Sequence, residues 1–253
     1  MTKSSDEWAK KKTDDLLRGL LADTNPFIND TGLDDALIGR LYRDTIHVGG
    51  FALTLPDGQW ALLSNGTTKT PSAAGVNYFL GRIQFKRLTG VVRVLALKSN
   101  GQPGAGFVAI QGCEKDNQNN FFTHQEDSTP FGAQGCWLIQ NYYTTPWQNR
   151  VGGTVSMDQA AAASMAAKGI TYPQDLVGTR FTRSEKCGML EATFLFSPEA
   201  DEISSNTVLS YFETDWHPKN IIHFPEKLAY MAKLKDWGTS YWPIFKANFA
   251  RAK

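Results

Sequence analysis

Residues 77–85, NYFLGRIQF, and 91–97, VVRVLAL, are apolar runs rich in aromatic and β-branched residues, with Arg87-Leu88-Thr89-Gly90 between them. Two such runs around a short Gly-bearing segment predict an antiparallel hairpin. The same pattern extends outward in both directions. Upstream, Ile46 to Leu55, Pro56-Asp57-Gly58 and Gln59 to Leu63 read as a hairpin in which the proline presets φ and the glycine closes the turn. Downstream, Phe107 to Gly112 reads as a further strand. Phe181 to Ser184 and Met189 to Phe196 read as a second pair, in which Leu190, Ala192, Phe194 and Phe196 alternate onto one face.

Helical signals lie at both ends and in the middle. Residues 5–22 place Trp8, Leu16, Leu17, Leu20 and Leu21 at helical spacing behind acidic Asp6 and Glu7, and Leu33, Ala36, Leu37 and Leu41 suggest a second short helix. Ser156-Met157-Asp158-Gln159 is a capping-box pattern ahead of an Ala-rich stretch that stops at Gly169, predicting a helix over 157–168. Pro225 suits a first helical position, Tyr230, Met231, Leu234 and Trp237 make an apolar stripe, Gly238 reads as the stop, and a last helix follows from Ser240. The expected fold class is α+β: an antiparallel meander sheet flanked by N-terminal, middle and C-terminal helices, in a single globular domain over 1–253. No linker or fixed-period repeat divides the chain.

Composition narrows the function classes. Twenty-six Lys and Arg against 25 Asp and Glu give a net charge of +1 with no basic stripe to neutralise phosphates, so nucleic acid is not an expected partner. The apolar runs around Val91-Val92 and Val94 to Leu97 are broken by Arg93 and fall short of the roughly 20 residues that a bilayer span needs. Met1 to Glu7 lacks an apolar core and a cleavage site, so no signal peptide is expected in this chain; an exported protein beginning after its signal has been removed would look the same.

Cys113 and Cys136 bracket a polar, Asn- and Gln-rich stretch, as a loop closed by one disulfide would, and such a closure stabilises by roughly 3 kcal/mol. The competing reading is three reduced cytosolic cysteines. Cys187, left over, is expected to be a buried thiol. Without a C-x-x-C pair a structural zinc site is not expected, and no cofactor is implied. The bridged reading places the chain in the periplasm or outside the cell, the reduced one in the cytoplasm.

The segment Asp215-Trp216-His217-Pro218, followed by residues 225–238, PEKLAYMAKLKDWG, resembles a C-terminal pattern of uncharacterised exported proteobacterial proteins. With the paired cysteines and the strand-turn-strand before them, the resemblance covers about half the chain. It implies export and a Cys113–Cys136 bridge, and carries no activity. Cys187 lies outside the pattern.

No G-x-S-x-G, H-E-x-x-H, Walker loop or EF-hand loop is present. Gly101 to Gly106 is Gly-rich but lies between strands, without the helix N-terminus that a phosphate cradle needs. Two acid–base candidates remain. His124 with Glu126 and Asp127 lies in the bracketed stretch, where extended geometry sets His124 and Glu126 on one side; a carboxylate beside an imidazole raises its pKa and fixes its tautomer. The plain alternative is a solvated loop. Asp215 and His217, with His223 six residues later, could share one metal, or Asp215 could orient His217 in triad fashion, joined in space to His124, whereas the alternative makes Thr214 or Asp215 a helix N-cap, Pro218 a helix start and Trp216 a core anchor. For ligand binding, Trp137, Tyr142, Tyr143 and Trp147 could line a groove for a sugar or apolar molecule, and Arg180 and Arg183 could clamp a carboxylate or phosphate. Core packing and paired surface charges are the alternatives. The expectation is an exported bacterial binding or interaction protein for an unidentified small molecule or protein, its oligomeric state open, with a hydrolase using His124/Glu126 or His217/Asp215 as the rival.

Overall fold

The computed structural model describes residues 38–70, 72–101, 106–108, 110–148 and 155–251. In chain order the elements are β1 (Leu41–Tyr42), β2 (Thr45–Val48), β3 (Phe51–Thr54), β4 (Trp60–Lys69), β5 (Ala73–Gln84), β6 (Arg87–Ser99), β7 (Asn120–Ser128), β8 (Gln134–Tyr143), α1 (Met157–Ala167), β9 (Asp175–Glu185), β10 (Gly188–Phe196) and α2 (Pro225–Ala250). The predicted helix over 5–22 lies outside the described residues, as does residues 33–37 of the second; Leu41 belongs to β1.

Eight strands form one antiparallel sheet in the order β1-β4-β5-β6-β10-β9-β8-β7, which makes the chain α+β. Two up-and-down runs, β4-β5-β6 and β7-β8-β9-β10, join through β6 against β10. The chain therefore leaves the middle of the sheet after β6 and re-enters at its far edge. The central hairpin turns at Phe85-Lys86, with φ of 49° and 60°, two residues earlier than expected. Two left-handed residues in succession match the twist of the flanking strands.

The upstream hairpin also turns elsewhere. Gly49 and Gly50, at φ 57° and 89°, split the predicted strand 46–55 into β2 and β3, which pair only with each other. Pro56-Asp57-Gly58 is the connector into β4, held by Trp60 Nε1 donating to the Pro56 carbonyl at 2.8 Å. Residues 107, 108 and 110–112 hold no strand, and Gly112 leads directly into the disulfide at Cys113.

The two faces of the sheet are covered unequally. On one, α2 and the β2–β3 hairpin bury Trp60, Leu80, Val92, Val94, Phe181 and Phe194. Phe51 stacks on Phe249 at 5.5 Å, and Tyr241 donates its hydroxyl to the Thr54 carbonyl. On the other, α1 lays Ala161, Ala162 and Met165 over Leu63, Phe79, Ile83 and Val91. Its start follows the expected capping box: the Gln159 N–H donates to Ser156 Oγ and the Ser156 N–H to Gln159 Oε1.

The expected break at Gly238 is absent, and α2 runs 26 residues with Pro243 inside it. A Cβ on Gly238 would stand 2.5 Å from Trp137 Cζ3, so this glycine serves close approach of helix to sheet rather than termination. Cys113 and Cys136 are disulfide-bonded, tying the loop before β7 to β8. Cys187 is exposed in the β9–β10 turn, not buried, because residues 186–187 turn outward between two paired strands. No helix among the described residues is long and apolar enough to cross a membrane.

Candidate functional site

His124, Glu126 and Asp127 lie on β7, the outermost strand, rather than in a loop. Strand alternation does bring His124 Nε2 to 3.5 Å from Glu126 Oε1. That carboxylate is already engaged by α2: its Oε1 accepts from Trp242 Nε1 at 2.7 Å and from Lys246 Nζ at 2.9 Å. Partial burial raises the Glu126 pKa, but the hydrogen bonds from Lys246 and Trp242 outweigh it and hold the carboxyl below its ordinary value. A β-bulge after Gln125 turns Asp127 toward Arg183, which donates to it at 2.5 Å. The group fastens an edge strand to the C-terminal half of α2.

Asp215 and His217 lie beside the opposite end of that helix. The chain between β10 and α2 folds back over the ends of β8 and β9 in short 3₁₀ turns, and it buries Thr214, Asp215, Trp216 and His217. No helix begins at Pro218, and Phe224 rather than Thr214 or Asp215 occupies the N-cap of α2. Asp215 instead accepts from Lys227 Nζ in a buried ion pair and from the Asn206 N–H at 3.3 Å. Asn141 Nδ2 bridges Asp175 Oδ1 at 3.0 Å and Thr214 Oγ1 at 2.9 Å. Trp216 is fully buried, with Nε1 donating to Ser205 Oγ at 2.6 Å.

Burial pushes the Asp175 carboxyl up to about 6; Asp215 and Glu199 add to the rise, while Asn141 and Lys227 oppose it. Burial pushes Tyr211 up to about 12. The His217 ring lies 5.0 Å from Tyr211 and 5.5 Å from Phe212, and its Nδ1 accepts from the Lys219 N–H. Burial, with Lys219 nearby, lowers the pKa of this imidazole. Sequence reasoning found Asp215 and His217 but missed Asp175, Asn141 and Lys227, which come from other elements. The two acid–base groups do not share a site: Lys227 and Trp242 are about 22 Å apart along the helix at 1.5 Å per residue.

The aromatic candidates also separate. Trp137 packs under α2, stacked at 5.7 Å on Phe181, while Tyr143 donates to the Val208 carbonyl at 2.9 Å. Tyr142 and Trp147 pack on the α1 side. Arg180 and Arg183 are three apart in one strand, so alternation sends them to opposite faces. Arg183 meets Asp127; Arg180 donates to the Gln111 carbonyl.

Trp147 does stand in a groove, with partners that the sequence did not single out. An open cavity of about 630 Å³ runs beside α1, walled by Trp147, Tyr172, Ile170, Ala162, Ala163 and Ala166. The Trp147 and Tyr172 rings meet at 5.4 Å. Positions 159, 162, 163 and 166 share one side of α1, and small side chains at three of them keep the space open. Gln148 and Gln159 supply its side-chain amides. The Ala run was legible as a helix; only the fold shows what stands opposite it. Among the described residues no three His, Cys, Asp or Glu side chains converge where they could hold a metal ion. No family model, curated protein or solved structure matches the chain.

Proposed function

We propose that this chain is an exported bacterial binding protein that takes an uncharged, largely apolar small molecule into the groove beside α1. One observation carries the reading: among the described residues the groove is lined by aromatic, aliphatic and small residues with two amides, and Tyr172 is the sole ionisable side chain of that described wall. Its volume falls in the range of small-molecule sites, and such a lining offers contact without an acid, base or nucleophile. The disulfide supports an oxidising compartment. N-phenyl-1-naphthylamine, an uncharged fluorescent probe, should bind saturably with enhanced emission. Ala166→Trp, at an exposed position in the groove wall, should weaken it at least tenfold without lowering Tm. Absence of saturable binding, or equal affinity in the variant, rejects the groove.

A hydrolase remains the second reading, favoured by one buried segment in which the Asp175 carboxyl is pushed up to about 6 and the His217 pKa is lowered by burial, the pattern of an acid and a base candidate. Chromogenic ester, amide, phosphate and glycoside substrates test it. Any turnover should fall by roughly 10² in His217→Gln. Turnover that persists there but falls in His124→Gln moves the chemistry to β7, and no turnover leaves the binding reading.

A further inference from the structure

Arg93 of β6 and Arg180 of β9 flank Thr193 of β10 in one lateral row: Arg93 is the register partner of Thr193, and Thr193 that of Arg180. Strand spacing sets the two arginine Cα atoms about 10 Å apart, near enough for two long side chains to converge over the threonine between them. The row belongs to the α1 side of the sheet, since Arg93 meets Asp158 in the first turn of α1 and Arg180 meets Glu191, two residues from Thr193.

Neither guanidinium is satisfied by its carboxylate. Arg180 Nε stands 3.9 Å from Glu191 Oε2, too far for a hydrogen bond, and that oxygen accepts from Thr182 Oγ1 instead. Arg93 Nε lies 3.2 Å from Asp158 Oδ1 but makes no hydrogen bond with it, and both atoms are buried without a hydrogen-bond partner. Burial raises the Asp158 pKa against the pull of Arg93, which marks it as a reluctant counter-ion. Burial, and to a lesser degree Glu191, raises the pKa of the Tyr142 hydroxyl; Arg180, Arg93 and a hydrogen bond with the Thr193 side chain pull it back, so phenol and threonine hydroxyl are already paired in the row. Two cationic forks, a hydroxyl and a phenol thus surround one patch in which both arginine Nε–H groups lack an acceptor, Arg180 spending one Nη on the Gln111 carbonyl; the side chains of Arg93 and Arg180 keep 33% and 17% of their surface open to solvent, and Thr193 lies buried between them.

We propose that the Arg93–Thr193–Arg180 row is an oxyanion site, taking a carboxylate or a phosphate monoester between the two guanidinium groups above the threonine hydroxyl. The planar forks match either anion bidentately, and a bound oxyanion supplies the acceptors that the two buried Nε–H groups lack. This goes beyond the groove and does not depend on it. The sequence set Arg180 beside Arg183; the register sets it beside Arg93, 87 positions away.

The test titrates the full chain with benzoate, phenyl phosphate and inorganic phosphate at constant ionic strength, with benzyl alcohol as uncharged control, and follows the arginine Nε–H resonances by NMR. Two resonances, identified by their loss in Arg93→Lys and Arg180→Lys, should shift saturably with an anion and stay fixed with the alcohol. Each lysine variant, which keeps the charge and removes the fork, should bind at least tenfold more weakly. Response to benzoate alone identifies a carboxylate ligand; response to both phosphates identifies a phosphate. Should either lysine variant fail to fold, Thr193→Val removes only the central hydroxyl and should also weaken binding. No saturable shift with any of the three anions, or unchanged affinity in the variants, overturns the site and leaves the arginines as structural charges.

Discussion

The two faces of the sheet solve the same burial problem in opposite ways. Under α2 the surface is closed with rings: Phe181 alone has Trp137, Phe194, Trp237, Tyr241, Trp242 and Phe245 within 6.2 Å, centroid to centroid. On the other face 11 helical residues span about 16 Å where the 26 of α2 span about 39 Å, so α1 covers β4, β5 and Val91 of β6 while the loop bearing Cys113 covers Cys136 and Leu138. Between the two covers lie Arg180 and Glu191, with Arg93 at the edge of α1. Charge on the face under α2 is matched: Asp215 with Lys227, Glu126 with Lys246, Arg183 with Asp127, and Asp175 held by the Asn141 amide.

The sharpest way to break this contrast is to remove one ring from each face. Phe181→Ala should destabilise by roughly 3–5 kcal/mol, the usual effect of deleting a fully buried aromatic, because its neighbours leave no route for collapse. Trp147→Ala should lose less, about 3 kcal/mol or below, since part of that ring lines the groove rather than packed side chains. Urea midpoints measure both. Equal losses would mean that the groove is as well sealed as the face under α2.

What was legible in the sequence follows the same division. Local signals survived: the Ser156/Gln159 capping box, the Pro225 start, and the antiparallel pair β9–β10. What failed depended on partners distant in sequence. Gly238 reads as a stop until Trp137, 101 positions earlier, is seen to press on it. Ile46 to Leu55 reads as one strand because its apolar pattern continues through the Gly49-Gly50 turn. Glu126 and Asp215 were found as acids near a histidine, but what holds each carboxylate, Lys246 or Lys227, lies on a helix whose contacts no local pattern encodes. Arg183 was paired with Arg180 by proximity in sequence, and two-residue alternation defeats that pairing.

A second test asks whether the sealed face truly excludes water at its charged end. Asp175 is fully buried, with its pKa raised from 3.8 to about 6. The folded state therefore holds this proton more tightly than the unfolded chain. Its contribution is complete below about pH 4 and is lost as pH rises through 6, by about 3 kcal/mol in all. Asp175→Asn, which cannot ionise, should match the wild type at pH 4.5 within about 1 kcal/mol and exceed its stability at pH 7.5 by up to about 3 kcal/mol. A stability difference that does not vary with pH would show that the carboxyl is hydrated and the cluster open.

The smallest effect carries the clearest sign. If Gly238 were an ordinary interior helix position, Gly238→Ala would stabilise α2 by about 1 kcal/mol through backbone entropy alone. The added Cβ would stand 2.5 Å from Trp137 Cζ3 and 3.0 Å from Cη2. That indole cannot retreat, for Phe122 packs against it at 4.5 Å and Phe181 at 5.7 Å. Overpacking of this kind takes roughly 1–3 kcal/mol, so the two terms compete and the steric one should win, leaving a net loss of about 1 kcal/mol. The same substitution should also quench or shift the Trp137 contribution to near-ultraviolet circular dichroism, because helix and sheet must part slightly to admit a methyl group. A stabilised Gly238→Ala with an unchanged spectrum would place α2 farther from β8 than the close approach described above, and the contrast between a sealed and an open face would lose its strongest contact.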